Sequence, residues 1–237
     1  MKMTKDEACW IAKASGWLSG ESRDFQEALL SRCHLRGFAE KEALFHEGDP
    51  CAGVHALVSG VLRIEFATPD RDYRIASVKQ PVFWSGSGAS MRRGAYFVTA
   101  TAASPVTTLF LPHHEFERLV EDAGHCRAFA RLSLEHYDEA QNVVGQLLIG
   151  DVEQRVAARL ALLAEKSGGP QPPVIPVTQA DLAEMCGLSR LTIQQVLNAL
   201  EKRGFIKAGY RKITVLDAGA LVGRAGVPDP ATAGAIV

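Results

Sequence analysis

The sequence predicts an α+β chain with a β-rich front half, one long connecting helix, and a compact helical unit carrying a two-stranded appendage. Three observations predict it. Short β-rich runs (VHALV, VLRIEF, YRIASV, YFVTATA and VTTLFL) fill residues 35–111, separated by the turn signals EGDP, SGV, TPDR, GSGAS and AASP. Residues 125–148 have no Pro, and no Gly before Gly145, and they carry an apolar stripe. Residues 178–204, TQADLAEMCGLSRLTIQQVLNALEKRG, place two capping residues around a glycine turn.

Bulk properties narrow the class. With 237 residues and a hydrophobic fraction of 47%, the chain can fill one large core or two ordinary ones and is not wholly disordered. No stretch reaches ~18 apolar residues, so no transmembrane helix is expected. The start, MKMTKDEACWIAKASGW, has no apolar run of secretory type. Cys9, Cys33, Cys51, Cys126 and Cys186 are odd in number and widely spaced, which argues against a disulfide framework and for a cytoplasmic location. The formal net charge of −1 hides an asymmetry. Arg190, Lys202, Arg203, Lys207, Arg211 and Lys212 crowd one short segment against only Glu201, enough local charge to attract a polyanion.

The elements follow in order. Residues 6–34 read as one or two short helices, with Phe25, Leu29 and Leu30 on a modest apolar face. Many short strands at the spacing seen in 35–111 argue for an antiparallel sandwich or barrel, not βαβ units. Gly48, Gly53 and Gly60 stand where tight reversals need backbone freedom. Pro112 introduces HHEFERLV, a short helix. In 125–148, Phe129, Leu132, Ala140, Val143 and Leu147 form one stripe, joined by His136. It can pack on the protein's own barrel or against a twin helix in a parallel dimer. Tyr137, Val144 and Leu148 widen the surface enough to serve both.

Gly150-Asp151 ends that pattern. Asp151 can cap a helix over residues 152–166, with Gln154 completing a capping box and Val156, Leu160 and Leu163 facing inward. The loop SGGPQPPVIPVT has four prolines, with a short strand expected around 174–177. From Gly223 onward Ala, Gly and Pro give few anchors, and a frayed tail is expected.

In the 178–204 segment, Thr178 can cap a first helix, with Asp181 at the third position of the box. Gly187 allows a sharp turn, Ser189 can cap a second helix to about Arg203, and Gly204 closes it. Only Cys186-Gly187-Leu188 separates the two, as a helix-turn-helix requires. Ile193, Val196, Leu197 and Leu200 make the buried face of the second helix. Its other face carries Leu191, Gln195, Asn198 and Lys202, with Arg190 and Gln194 at the leading edge. Arg pairs with guanine and Gln with adenine through two hydrogen bonds, so this end suits a major groove. FIKAGYRKITVL follows as two short strands, 205–207 and 212–216, with Arg211 and Lys212 at the tip of a wing that can meet a phosphate backbone.

Taken together, LFHEGDPCAGVHALVSGVLRI and VTQADLAEMCGLSRLTIQQVLNALEKRGFI resemble the first β-roll block and the DNA-binding block of the cyclic-AMP receptor and fumarate–nitrate regulator (Crp/Fnr) superfamily. The resemblance covers roughly residues 20–218. It implies a cyclic-nucleotide-binding-like β-roll of double-stranded jelly-roll type over 1–124, a dimerisation helix over 125–149, a winged helix over 150–222 and a flexible tail over 223–237. It also implies a homodimeric transcription regulator on two-fold-symmetric double-stranded DNA, and RNA polymerase as a further partner if the protein is an activator. Thr178, Gln179, Ser189, Arg190, Leu191, Thr192, Gln194, Gln195, Asn198, Lys202, Arg211 and Lys212 become the expected DNA contacts.

The signal is another matter. Cyclic-nucleotide binders of this superfamily carry a Gly-Glu pair and then an Arg-Ser/Thr segment, whereas the stretch here is VFWSGSGASMRRGAYFVTATA. No Glu occurs between Gln80 and Leu111, and Tyr96 and Phe97 fall where Arg and Ser belong. Without its charged fork a cyclic phosphate loses its strongest directional contact, so a signal other than cyclic AMP is expected. Phe83, Trp84, Arg92, Arg93, Tyr96 and Phe97 are the residues of a candidate effector pocket, and they equally suit a pocket filled by its own aromatics in an effector-independent regulator. An iron–sulfur cluster needs four thiolates, and the cysteines here are not clustered. Haem has seven histidines available (His34, His46, His55, His113, His114, His125 and His136) but no specific motif. On the DNA side, Arg190 matches relatives while Leu191 and Gln195 replace their Glu and Arg, so a different operator with A·T content is expected.

Two other classes compete. No compact three-ligand metal pattern and no Ser-His-Asp, Walker or dinucleotide signature is present, so an enzyme is not expected. A non-enzymatic protein-binding module would differ from a DNA reader in salt dependence.

Overall fold

The computed structural model describes residues 3–69, 72–167 and 171–225. Residues 168–170 of the proline-rich loop and 226–237 of the expected tail lie outside the described residues. The chain divides into two compact units, with the division inside its longest helix between Asp138 and Glu139. Among the described residues no helix is long and apolar enough to cross a membrane.

The first unit opens with helix α1 (Lys5–Ala14), whose start is fixed by a full capping box: Thr4 Oγ1 accepts the Glu7 N–H at 3.2 Å and Glu7 Oε2 accepts the Thr4 N–H at 2.7 Å. A 3-10 turn (Trp17–Gly20) leads into α2 (Arg23–Arg32), which is capped by Ser22. Strands β1 (His34–Phe38), β2 (Ala43–Phe45), β3 (Gly53–Ser59), β4 (Leu62–Ala67), β5 (Tyr73–Lys79) and β6 (Trp84–Ser85) come next. A short helix α3 (Ser87–Met91) precedes β7 (Thr99–Ala102), β8 (Val106–Pro112) and α4 (His113–Val120). The strands pair antiparallel into two sheets, ordered β1-β8-β3-β6 and β2-β7-β4-β5. The predicted strand at YFVTATA begins only at Thr99, and α3 occupies the predicted GSGAS turn.

Alternation along β3 separates two cores. Val54, Ala56 and Val58 join a helix-facing core with Leu18, Phe25, Trp84, Phe116 and Phe129. Leu57 instead meets Leu62, Ala102 and Val106 between the sheets. The reversal between β3 and β4 needs Gly60, at φ +87°, because a Cβ there would lie 2.3 Å from the Pro105 carbonyl oxygen.

Helix α5 (Ala123–Leu147) runs from the first unit into the second. Phe129 and Leu132, expected on the stripe between two copies, are only 0 % and 2 % exposed within the protein's own core. The Phe129 ring is covered by Trp17, Phe25 and Phe116 at centroid distances of 5.4, 5.5 and 4.7 Å. Covering a phenylalanine in this way is worth about 2–3 kcal/mol, so these two side chains belong to the fold and not to a seam. His136 and Val143 are half-buried, and Ala140 and Leu147 are exposed. His136 lies against the Phe83 ring at 5.3 Å.

The second unit begins in earnest with α6 (Val152–Glu165). Asp151 Oδ1 accepts the Gln154 N–H at 2.7 Å, as the sequence predicts. The reciprocal half of the box does not form, because Gln154 Nε2 donates to the Ala225 carbonyl at 2.8 Å instead. Strand β9 (Val174–Ile175), helices α7 (Gln179–Cys186) and α8 (Arg190–Lys202), and strands β10 (Ile206–Gly209) and β11 (Lys212–Val215) follow. The three strands form one antiparallel sheet in the order β10-β11-β9. A last helix, α9 (Ala218–Ala225), replaces the start of the expected loose tail: Leu221 and Ala225 are buried, and Arg224 pairs with Asp151 and Glu153.

Candidate nucleic-acid interface

Local capping fixes the two helices that carry the candidate contacts. Thr178 Oγ1 accepts the Asp181 N–H at 3.1 Å and Asp181 Oδ2 accepts the Thr178 N–H at 3.2 Å, a complete box at the start of α7. Gly187, at φ +63°, ends that helix in the left-handed region that glycine adopts without strain. Ser189 Oγ then accepts the Thr192 N–H at 3.1 Å and opens α8. The hydroxyls of Thr178 and Ser189 are thus engaged in capping, and the Thr192 hydroxyl lies 2.8 Å from Ser189 Oγ, so all three residues are fixed at helix starts, the ends where an anion is favoured.

Helix α8 has two faces. Ile193, Val196, Leu197 and Leu200 are buried, the four residues the sequence assigns to that face. Arg190, Leu191, Gln194, Gln195, Asn198 and Lys202 are exposed, Leu191 by 65 %. One side of the helix therefore presents two cations, two primary amides of glutamine, one of asparagine and an apolar tip. That set can donate to and accept from base edges and can touch a methyl group. Gln179 is exposed at the start of α7.

The wing stands beside it. Gly209 pairs with Lys212 across the hairpin, leaving Tyr210 and Arg211 as a two-residue tip. Arg211 has φ +54°, an uncommon conformation for a residue with a side chain, and Tyr210 is 90 % exposed. Glu201 Oε1 accepts the Ala208 N–H at 3.0 Å and ties the last turn of α8 to the wing. Arg203 is not free for a phosphate. Its Nη2 lies 2.7 Å from Glu153 Oε1, and Arg203, followed by Arg224, holds the Glu153 carboxyl below its usual range. Cys186 is buried beneath the turn, and burial pushes its thiol up to about 11.

The six residues of the expected effector pocket do not line one space. Strand β6 directs Trp84 into the helix-facing core, edge-on to Trp17 at 5.4 Å. Tyr96 points inward and stacks on Phe45 at 3.9 Å. Phe83 is half-buried and packs beside that interior. Phe97 is 62 % exposed with the Arg92 guanidinium over its ring at 3.8 Å, while Arg93 pairs with Glu117 at 2.9 Å. The physical reason is alternation: neighbours on a short extended segment face opposite ways, so an aromatic-rich run cannot all face one cavity.

What occupies the roll interior is a residue outside the expected pocket. His55 is only 2 % exposed, ringed by Phe38, Phe45 and Phe110, with Nδ1 3.2 Å from Thr108 Oγ1. Burial, helped by the charge of Arg36, pulls it down to about 3 and keeps it neutral. The Tyr96 hydroxyl accepts the N–H groups of Gly53 at 3.1 Å and Ala52 at 3.2 Å, and donates to the Gly53 carbonyl at 2.8 Å. Gly86 packs against that same carbonyl, where a Cβ would come within 2.5 Å. The place of His55 inside the apolar run VHALV, whose strand is buried from Gly53 to Val58, was the sequence signal that could have singled it out. Among the described residues, no three of His, Cys, Asp and Glu converge as a metal-holding cluster.

Comparison with known proteins adds family context to this geometry. Residues 154–224 match the Crp-like helix-turn-helix domain, and residues 35–123 match the cyclic nucleotide-binding domain. A CRP-like cAMP-activated global transcriptional regulator of Mycobacterium tuberculosis is 23% identical over 220 residues, spanning 91% of this chain and 98% of the relative. The HTH-type transcriptional regulator Cmr of the same organism is 29% identical over 224 residues, spanning 92% and 88%. In fold, the chain is similar to FixK2 of Bradyrhizobium japonicum, with a TM-score of 0.73 at 17% identity, covering 83% of this chain and 99% of that one.

Proposed function

From the premise that this chain belongs to the Crp/Fnr superfamily of transcription regulators, we propose that it acts as a homodimer reading a two-fold-symmetric DNA site in response to a signal other than cyclic AMP. One observation carries the DNA reading: the exposed face of α8 gathers Arg190, Leu191, Gln194, Gln195 and Asn198 on a helix capped at both neighbouring turns. In this reading those residues meet base edges. Thr178, Gln179, Ser189, Thr192, Lys202, Arg211 and Lys212 meet the sugar–phosphate backbone and set the register.

The second copy is proposed to lie along α5. Leu134 and Tyr137 are exposed in the first unit, Val144, Leu147 and Leu148 in the second. Leu134, Tyr137, Val144 and Leu148 are spaced by three, seven and four residues, the spacing of a two-helix seam. Ala140 and Val143 lie beside this line, His136 reaches it from the Phe83 side, and Phe129 and Leu132 lie outside it. Functionally, the chain then divides into an effector-type domain over 1–124, the dimer helix over 125–149 and the winged helix from 150 through α9. If the protein is an activator, RNA polymerase is a further partner.

The roll interior supports a narrower second reading. His55, Phe45 and Tyr96 occupy the space between the sheets, and the Tyr96 hydroxyl is fully engaged with Gly53 and Ala52. Such a domain could support DNA binding with no small molecule.

Selection of the purified protein on a random duplex library, with no effector added, tests both readings. Enrichment of a two-fold-symmetric site is expected, and an asymmetric or absent motif would overturn the dimeric reader. Enrichment that persists after unfolding and refolding, which strips any carried ligand, favours the effector-free reading.

A further inference from the structure

A helix ends with four carbonyls that its own later turns cannot satisfy. In α7 these belong to Ala183, Glu184, Met185 and Cys186. The Gly187 N–H donates to the Glu184 carbonyl at 3.1 Å and the Leu188 N–H to the Ala183 carbonyl at 2.9 Å. The chain then turns into α8, and α6 supplies the donors for the last two carbonyls. Arg159 Nη2 donates to the Met185 carbonyl at 3.0 Å, and Arg155 Nη1 donates to the Cys186 carbonyl at 3.2 Å. The two arginines stand at i and i+4 on one face of α6, so both reach the same helix end. Arg155 also donates through Nε to the Ile149 carbonyl at 2.9 Å, just beyond the end of α5.

Arg159 is not the residue that stability alone would choose. It is 1 % exposed, and its Nε and Nη1 make no hydrogen bond. The Cys186 thiol lies beside it, and Glu139 of α5 is near enough to act on its charge. A buried guanidinium with two of its nitrogens unpaired carries a desolvation cost that its one hydrogen bond repays only in part. What the guanidinium adds is direction, because it aims a charged donor at the negative end of α7.

We propose that Arg155 and Arg159 form a clasp that orients the helix-turn-helix against α6 and the end of α5, which makes them positioning residues for DNA recognition. The clasp rests on the DNA-binding reading above. It gives the end of the long helix a direct polar connection to the turn that aims α8, through one side chain.

The test compares wild type with R159M and R155K on the enriched site, measuring affinity at two salt concentrations, affinity for unrelated duplex, and thermal stability. R159M is expected to lower its melting temperature modestly, because the Met185 carbonyl loses its donor, while the specific affinity of the folded protein falls about tenfold or more. Its salt dependence and its affinity for unrelated duplex stay at wild-type values, since a buried guanidinium neutralises no phosphate. R155K keeps the charge but not the fork that spans two carbonyls, and is expected to lose specific affinity in the same way. Wild-type affinity in R159M overturns the clasp, and so does a shallower salt slope. If R159M does not fold, R155K decides, and unchanged specific affinity there overturns it. A wild-type chain that enriches no site overturns the DNA reading and the clasp together, an outcome distinct from any difference between wild type and variants.

Discussion

The β-roll and the winged helix treat their polar side chains in opposite ways. In the roll, Tyr96 and His55 point inward, one hydrogen-bonded to Gly53 and Ala52, the other set against Thr108 among three aromatic rings. In the winged helix, Arg190, Gln194, Gln195 and Asn198 point outward from α8. A polar group satisfied inside specifies the fold, because its alternatives are all costly. A polar group held out on a rigid helix loses only water when a partner arrives. The difference predicts a clean separation: substitutions in the roll interior should change stability, and substitutions on α8 should change recognition.

The largest effect should come from Tyr96→Phe, which strands the two buried backbone groups of Gly53 and frees the exposed Ala52 N–H to water, and should cost about 2–3 kcal/mol in chemical denaturation. The folded fraction should bind DNA as wild type does, and a specific loss of DNA affinity would break the separation. Arg190→Ala comes next. It should weaken binding to the selected site by about 2 kcal/mol and relax preference at one base pair, with no change in melting temperature. A loss that is equal on every sequence would place Arg190 on the backbone instead.

His55 sharpens the comparison through pH. Its folded value is lowered to about 3 from 6.5, so the unfolded chain takes up a proton that the folded chain refuses. The stability linked to His55 is complete above pH 6.5 and is lost as pH falls, at about 1.4 kcal/mol per pH unit at the steepest. Denaturation curves at pH 7 and pH 5 should show a smaller difference for His55→Gln than for wild type, and equal differences would count against a buried neutral histidine. The smallest effect is expected from Arg211→Ala. It should weaken binding about equally across sequences and reduce the salt slope by about 1.

Much of the winged helix was legible because its signals are local. Thr178, Asp181, Gly187 and Ser189 act within one turn of themselves, and spacing alone separates Ile193, Val196, Leu197 and Leu200 from the outer face of α8. The roll was legible as strands and turns but not as a site. Which face of β6 takes Trp84, and where Tyr96 points, depend on strands far away in sequence. The α5 stripe has the same weakness, since an apolar pattern does not say what covers it, and Phe129 turned out to be covered by Trp17, Phe25 and Phe116, with Leu132 buried in the same core. Gln154 shows a third limit: its capping role was plausible, but the Ala225 carbonyl, 71 residues on, competed for its side chain. The arginine clasp left no sequence pattern, because its acceptors are backbone atoms.

Helix α9 bears on how this chain can be cut. Composition from Gly223 onward suggests a dispensable end, and a truncation placed there would look harmless. Yet Arg224 is the residue that answers both Asp151 and Glu153, and the Ala225 carbonyl receives Gln154, so the cut would remove the counterweight to the first turn of α6. The earliest boundary that preserves these bonds lies after Ala225. A shorter fragment that binds DNA poorly would report the loss of that staple and say nothing about α8.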